Sequence, residues 1–242
     1  MNLTCPVITS IQLAAAVAVA IFLTGCASAP LDDPNDPLEP VNRAMFTFNR
    51  NADKYLLKPV AKGYQKITPV PVQRGVSNIF DNLNEPRTIA NDLLQFKLAQ
   101  AGSDTGRFLL NSTAGFAGVM DVASDAGMLR HSEDFGQTLG TLGVGEGWYL
   151  MIPFLGPSTN RDLLGRLVDT PLQIASYLSA DSSLPLKLFD VLDLRTKLLE
   201  GESLLDDALD PYVFVRTAYL QSRLTQVYDG NPPARLIYGE GE

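Results

Sequence analysis

Apolar residues recur at the 3.6-residue helical period along most of this chain, and strict two-residue alternation is scarce. Val41, Ala44, Met45, Phe48, Ala52, Tyr55 and Leu56 share one face of a predicted helix that Pro59 limits. Pro69 and Pro71 mark a turn before a short segment over residues 75–80. Asn84, Glu85 and Pro86 form a cap-like start for a helix that buries Ile89, Leu93 and Phe96, with Ala90 and Leu94 beside them. Ser103 or Asp104 opens another through Phe108, Leu109 and Leu110. Length and leucine spacing predict helices over 161–178 and 184–199. Asp210 and Pro211 cap a last one, with Tyr212, Val215, Tyr219, Leu220, Arg223 and Val227 near one face. Residues 148–154 are the one plausible extended piece. The pattern is that of an all-α fold without internal repeats.

The stretch from 111 to 156 differs. It holds nine of the nineteen glycines: Gly115, Gly118, Gly127, Gly136, Gly140, Gly143, Gly145, Gly147 and Gly156. A glycine inside a helix costs up to about 1 kcal/mol relative to alanine, so this density needs a reason. Close backbone packing or a wall beside a ligand or lipid supplies one; a long irregular loop is the alternative.

The N-terminus carries the strongest targeting signal. An apolar run from Leu13 to Leu23 ends on Leu23, Thr24, Gly25 and Cys26, which resembles a bacterial lipobox. Spanning a bilayer takes roughly 20 apolar residues, so a signal peptide over 1–25, cleaved between Gly25 and Cys26, is the better reading. Cys26 is then the lipidated residue, and two or more acyl chains give stable attachment where one does not. No Lys or Arg precedes Arg43, which departs from the usual basic start of such a signal. Residues 26–40, rich in Pro and Asp, read as a flexible tether, 41–228 as the helical body, and 229–242 as a mobile tail.

Removal of residues 1–25 leaves 217 residues without a cysteine available for a disulfide, enough for a core-stabilised domain. The formal charge of −8 argues against nucleic acid, which demands a Lys/Arg footprint. His131, the one histidine, sits beside Ser132, Glu133 and Asp134, but no G-x-S-x-G elbow accompanies it. Ser132 or His131 is better read as the cap of a helix over 135–139. One histidine and no free thiol leave no metal site, and neither a phosphate-binding P-loop nor a dinucleotide fingerprint is present, so no cofactor is expected. Arg43, Arg87 and Arg161 lie near helix starts. Local ion pairs are their simplest reading, and recognition of a phosphate headgroup the sharper one.

Several segments in order resemble the MlaA/VacJ family of outer-membrane lipoproteins: 36–49 (DPLEPVNRAMFTFN), 82–87 (NLNEPR), 107–115 (RFLLNSTAG) and 118–123 (GVMDVA). They continue with 134–140 (DFGQTLG), 150–159 (LMIPFLGPST) followed by Arg161 and Asp162, and 210–212 (DPY) before Arg216. The resemblance runs from the lipobox to about residue 228. It implies a single ring-like helical domain with an amphipathic channel, set in the inner leaflet of the outer membrane and facing the periplasm. It further implies passage of mislocalised phospholipids from the outer leaflet to a periplasmic phospholipid-carrier protein, and association with a trimeric porin. Asn42, Arg43, Phe46, Phe48 and Asn49 carry the tightest motif, in the first helix. Phe116, Val119, Met120, Gly143, Val144 and Gly145 are the candidate channel residues.

Exposing both acyl chains of a phospholipid to water costs on the order of 20 kcal/mol, at about 0.8 per methylene. A conduit must therefore cover the chains while the head moves through a wet path. Without an NTPase loop, such a conduit is passive, and a gradient or partner sets its direction. The competing reading is a structural lipoprotein scaffold that holds a porin or envelope component. A hydrolase built on His131 ranks last.

Overall fold

The computed structural model describes residues 36–174, 180–234 and 236. Cys26, Gly25, most of the tether and the end of the tail lie outside the described residues.

Helix α1 (Glu39–Ala52) does not stop near Pro59. A π turn over Asp53–Leu57 leads directly into α2 (Lys58–Ile67), and the Lys58 N–H reaches back to the Asp53 carbonyl. This wider turn lets a proline, which lacks the donor for an i−4 bond, enter the first turn of α2. Pro69 caps α3 (Val70–Leu94), a single 25-residue helix that runs through Asn84, Glu85 and Pro86 instead of beginning there. Helix α4 (Leu98–Thr113) begins before Ser103, with Lys97 at its cap, and places Asp104 in its buried middle.

The glycine-dense stretch folds as short pieces joined by turns. Helix α5 (Val122–Asp125) is capped by Asp121, and α6 (Phe135–Thr141) by Asp134, whose carboxylate accepts the Gln137 N–H at 2.9 Å. The cap is thus neither Ser132 nor His131. Strands β1 (Tyr149–Ile152) and β2 (Gly156–Thr159) form an antiparallel hairpin with Tyr149 opposite Thr159. Helix α7 (Asn160–Asp169) ends well before residue 178 and passes into a 3₁₀ turn, Thr170–Leu172. Helices α8 (Ala180–Leu198), α9 (Glu202–Asp206) and α10 (Pro211–Val227) complete the chain.

Packing closes into a circuit: α1 on β1, β2 on α10, α10 on α6, α6 on α3, α3 on α8, and α8 on α2, which continues from α1. Two close approaches explain glycines within it. A Cβ on Gly165 of α7 would sit 2.4 Å from the Gly136 backbone nitrogen of α6, and one on Gly115 would sit 2.3 Å from the Met120 carbonyl.

The buried faces are not the apolar ones that periodicity picks out. Asn42 is buried in α1, whereas Val41, Phe48, Tyr55 and Leu56 are exposed. In α3, Asn91 and Asp92 are buried, whereas Leu93, Leu94 and, just beyond, Phe96 are exposed. Among the described residues, eight hydrophobic and twenty-one polar or charged side chains are buried. Only α10 follows expectation, with Tyr212, Arg223 and Val227 buried and Tyr219 against the hairpin.

Candidate functional site

The buried polar groups form connected networks. Arg223 bridges Asp134 at 2.7 and 2.9 Å and Asp162 at 2.8 and 3.0 Å, and Tyr219 donates to Asp162 at 2.6 Å. Burial raises the Asp134 carboxyl, but the Arg223 guanidinium prevails and holds it down at about 2. Between α3 and α4 lie Glu85, Asp92, Asp104 and Arg107, all buried. Burial first, then the neighbouring Asp104, pushes Glu85 up to about 7, and both also push Asp92 up. His131 Nδ1 stands 3.0 Å from Asp104, so its contact is a carboxylate of α4 and not a serine.

The outer surface carries many large apolar side chains among charged ones such as Lys54, Lys62 and Lys66. Phe96, Leu98, Phe116, Met120, Leu142, Phe154 and Leu155 are all exposed. Polar inside and apolar outside is the arrangement that a hydrocarbon environment stabilises. Among the described residues, no helix is long and apolar enough to cross a membrane.

Two cavities follow one another along the antiparallel contact of α3 with α8. The larger, about 380 Å³, is polar and holds Arg74, Ser77, Asp81, Arg130, Asp193 and Lys197. Two of its cations are paired directly, Arg130 with Asp81, and Lys197 with Asp193 at 2.8 Å. The smaller, about 140 Å³, mixes Phe80, Leu83 and Leu186 with Arg87, Lys187 and Asp190. From Val70 to Arg87 the α3 wall runs about 25 Å at 1.5 Å per residue. The crevice therefore passes from an end lined almost wholly by polar residue types to one that mixes them with Phe80, Leu83 and Leu186.

The first-helix motif builds scaffold. Asn42 donates to the Tyr149 carbonyl and to Asp36, and Asn49 donates to the Ile152 carbonyl. Arg43 pairs with Glu39 at 2.7 Å and Asp210 at 2.8 Å, and its guanidinium lies 4.5 Å from the Tyr212 ring centroid. Phe46 meets Tyr212 edge to face at 5.8 Å, and Phe48 meets Phe154 at 5.1 Å. Asp36, expected in the tether, is buried and accepts from Asn42, Tyr212 and Arg216. The tether's last residues thus belong to the fold.

The glycine-stretch candidates sit elsewhere than the crevice. Phe116 is 74% exposed, and Met120, Val119 and Val144 are also exposed. The loop bearing Phe116, Val119 and Met120 packs on α3 through the Val119 carbonyl, which accepts from Asn78 at 3.1 Å. Gly143 takes a positive φ of 87°, a turn geometry, and Gly145 has open space around it. None of the six lines either cavity. The crevice residues escaped sequence reading because α3 was divided at Pro86. The one pointer was Arg87, since Arg43 and Arg161 make local pairs and Arg87 does not. Among the described residues, no group of His, Cys, Asp and Glu could hold a metal ion.

Comparison with known proteins assigns this architecture to relatives. The profile of the family described as MlaA lipoprotein matches residues 34–226. Proteins named intermembrane phospholipid transport system lipoprotein MlaA, from Shigella flexneri and Escherichia coli (strain K12), are each 38% identical over 217 residues, covering 87% of this chain and 86% of theirs. The Haemophilus influenzae protein of that name is 36% identical over 220 residues, 87% of this chain and 88% of its own. A solved structure described as the structural basis for maintenance of bacterial outer membrane lipid asymmetry superposes with a TM-score of 0.73 at 38% identity. It covers 81% of this chain and 99% of that one.

Proposed function

This chain belongs to the MlaA lipoprotein family, and on that premise we propose that it is an outer-membrane lipoprotein that passively channels phospholipids out of the outer leaflet, maintaining lipid asymmetry. The observation that carries the reading is the inverted polarity of the fold together with the amphipathic crevice between α3 and α8. An apolar exterior keeps the body in hydrocarbon, where its exposed Phe96, Phe116 and Phe154 lose nothing by facing acyl chains. A buried polar interior offers a headgroup hydrogen-bonding partners that the surrounding lipid does not.

In this reading Cys26 is acylated and fixes the body in the inner leaflet, facing the periplasm. The circuit of helices acts as a ring whose passage the crevice wall lines. Phospholipid leaves to a periplasmic carrier, and the exposed apolar rim is the surface available to a trimeric porin. No catalytic step is required, because the same lipid enters and leaves.

Site-specific photocrosslinking in cells tests the proposal. A photoreactive residue at Leu83 or Leu186, which line the small cavity, is expected to give phospholipid adducts; Val144 and Met120 test the glycine-stretch alternative. A scaffold that only holds a porin gives no lipid adduct from the cavity positions, and charged substitutions there leave outer-leaflet asymmetry intact. That pair of results would overturn the conduit.

A further inference from the structure

Three charged side chains converge on the small cavity: Arg87 from α3, and Lys187 and Asp190 from α8. Among the described residues, none of the three donates or accepts a side-chain hydrogen bond or lies within 4.0 Å of an opposite charge. The Nε of Arg87 is buried without an acceptor. In the neighbouring cavity, Arg130 and Lys197 do have direct carboxylate partners. Lys187 and Asp190 reach solvent and Arg87 is half-buried, so the unmet hydrogen-bonding demand of this cavity falls on the Arg87 guanidinium. Burial, then the carboxylates of Asp193 and Asp81, raises Asp190 from its ordinary range, against the opposing pull of Lys197 and Arg87.

We propose that this cavity selects a zwitterionic, amine-bearing phospholipid headgroup: Arg87, with Lys187 beside it, takes the phosphate, and Asp190 takes the primary ammonium. Phe80, Leu83 and Leu186 cover the glycerol and first methylenes. The inference rests on the reading of this chain as a phospholipid conduit and adds to it a headgroup preference. The chemistry discriminates because an ethanolamine headgroup carries both signs and satisfies both walls. A glycerol headgroup carries only the phosphate charge and leaves Asp190 facing a neutral hydroxyl. Guanidinium and phosphate form the stronger, charge-assisted contact, so Arg87 governs whether a phospholipid is held and Asp190 governs which one.

The lipidated full-length protein, purified and equilibrated with vesicles of equal phosphatidylethanolamine and phosphatidylglycerol, is re-isolated and its bound lipid quantified by mass spectrometry. The wild type is expected to enrich phosphatidylethanolamine by up to about fivefold, the value of one partly screened charge pair. Asp190→Asn is expected to return the ratio to that of the vesicles, Asp190→Lys to invert it, and Arg87→Gln to lower total bound lipid. Glycerophosphoethanolamine, the same headgroup without acyl chains, serves as the soluble probe; its saturable binding without enrichment of the intact lipid would overturn the assignment to lipid. Ample bound lipid in the vesicle ratio, or enrichment that survives Asp190→Lys, would overturn the headgroup preference and leave the conduit standing. Wild-type protein that carries no phospholipid at all would overturn the conduit itself.

Discussion

The side-chain amide of Asn42 pairs with β1 as a neighbouring strand would, donating to the Tyr149 carbonyl and accepting the Met151 N–H, both at 2.9 Å. Asn49 repeats the arrangement seven residues on, donating to the Ile152 carbonyl at 2.9 Å and accepting the Phe154 N–H at 2.8 Å. Seven helical residues advance about 10.5 Å, and the three-residue step between the two strand sites advances about 10 Å. Helix and hairpin are therefore commensurate, and the asparagines give the outer edge of β1 the partners that a third strand would provide.

Asn42→Ala leaves the buried Tyr149 carbonyl and Met151 N–H without partners, at an expected cost of about 2–4 kcal/mol. Asn49→Ala, at a half-buried site, costs about 1–2 kcal/mol. Chemical denaturation in detergent measures both. Amide exchange should accelerate at Met151 in the first variant and at Phe154 in the second; unchanged exchange at both amides contradicts the edge-pairing account.

Gly165→Ala is expected to force α6 and α7 apart, because its methyl would meet the Gly136 nitrogen at 2.4 Å. Overpacking against backbone costs about 1–3 kcal/mol or more, and the shift also strains the Asp162–Arg223–Asp134 bridge. Gly145→Ala, with nothing within 4 Å of the added carbon, should leave the melting temperature nearly unchanged. Equal effects from the two variants would contradict close packing as the reason for glycine at 165.

Stability should decline towards both acid and alkaline pH. Glu85, raised to about 7 by burial and then by Asp104, binds more protons folded than unfolded. Its contribution is full below its ordinary value of 4.5 and is lost as pH rises through about 7. Asp92 acts in the same sense. Asp121 and Asp134 act oppositely: burial raises them, but hydrogen bonds and Arg107 or Arg223 hold each at about 2. Their contribution is present above the ordinary value of 3.8 and is lost as pH falls towards about 2. Melting temperature against pH should therefore peak near about pH 4–5. Asp92→Asn should raise the unfolding free energy at pH 8 by on the order of 1 kcal/mol or more, and leave it little changed at pH 5. A wild-type profile flat from pH 5 to 8 would contradict this.

Cys26→Ala is expected to abolish acylation and lower recovery in outer-membrane fractions, the apolar exterior leaving a residual affinity for lipid, while its helical circular dichroism is retained. Membrane fractionation and intact-mass measurement check it. Persistence of the acyl mass would place the anchor at another residue.

Helical class, the extended segment that becomes β1 and the face of α10 were legible in the sequence because they depend on local signals, for α10 Asp210 before Pro211 and periodic Tyr212, Tyr219 and Arg223. The orientation of α1 and α3 was not. Periodicity locates an apolar stripe but does not say whether water or lipid lies outside, and here Leu93, Leu94 and Phe48 face outward. Pro86 hid the continuity of α3, since proline reads as a helix boundary unless tertiary packing offsets its lost hydrogen bond. That single misreading concealed the crevice, whose wall needs residues on both sides of Pro86. Glycine density left close packing, a lipid wall and a loop open, and at Gly115 and Gly136 close packing is what the glycines permit.

The outward-facing phenylalanines and leucines have a consequence for the route by which this molecule reaches its station. A body finished in this way is at home only once it meets lipid. During its aqueous transit between the two envelope membranes it carries an unsheltered greasy coat, besides any acyl chains. Each large apolar side chain left in water forgoes about 1.5–3 kcal/mol, so self-association outcompetes waiting. Delivery must therefore be escorted or coupled to late completion of the fold, and overproduction should fail first by clumping in transit, before any failure of secretion or folding.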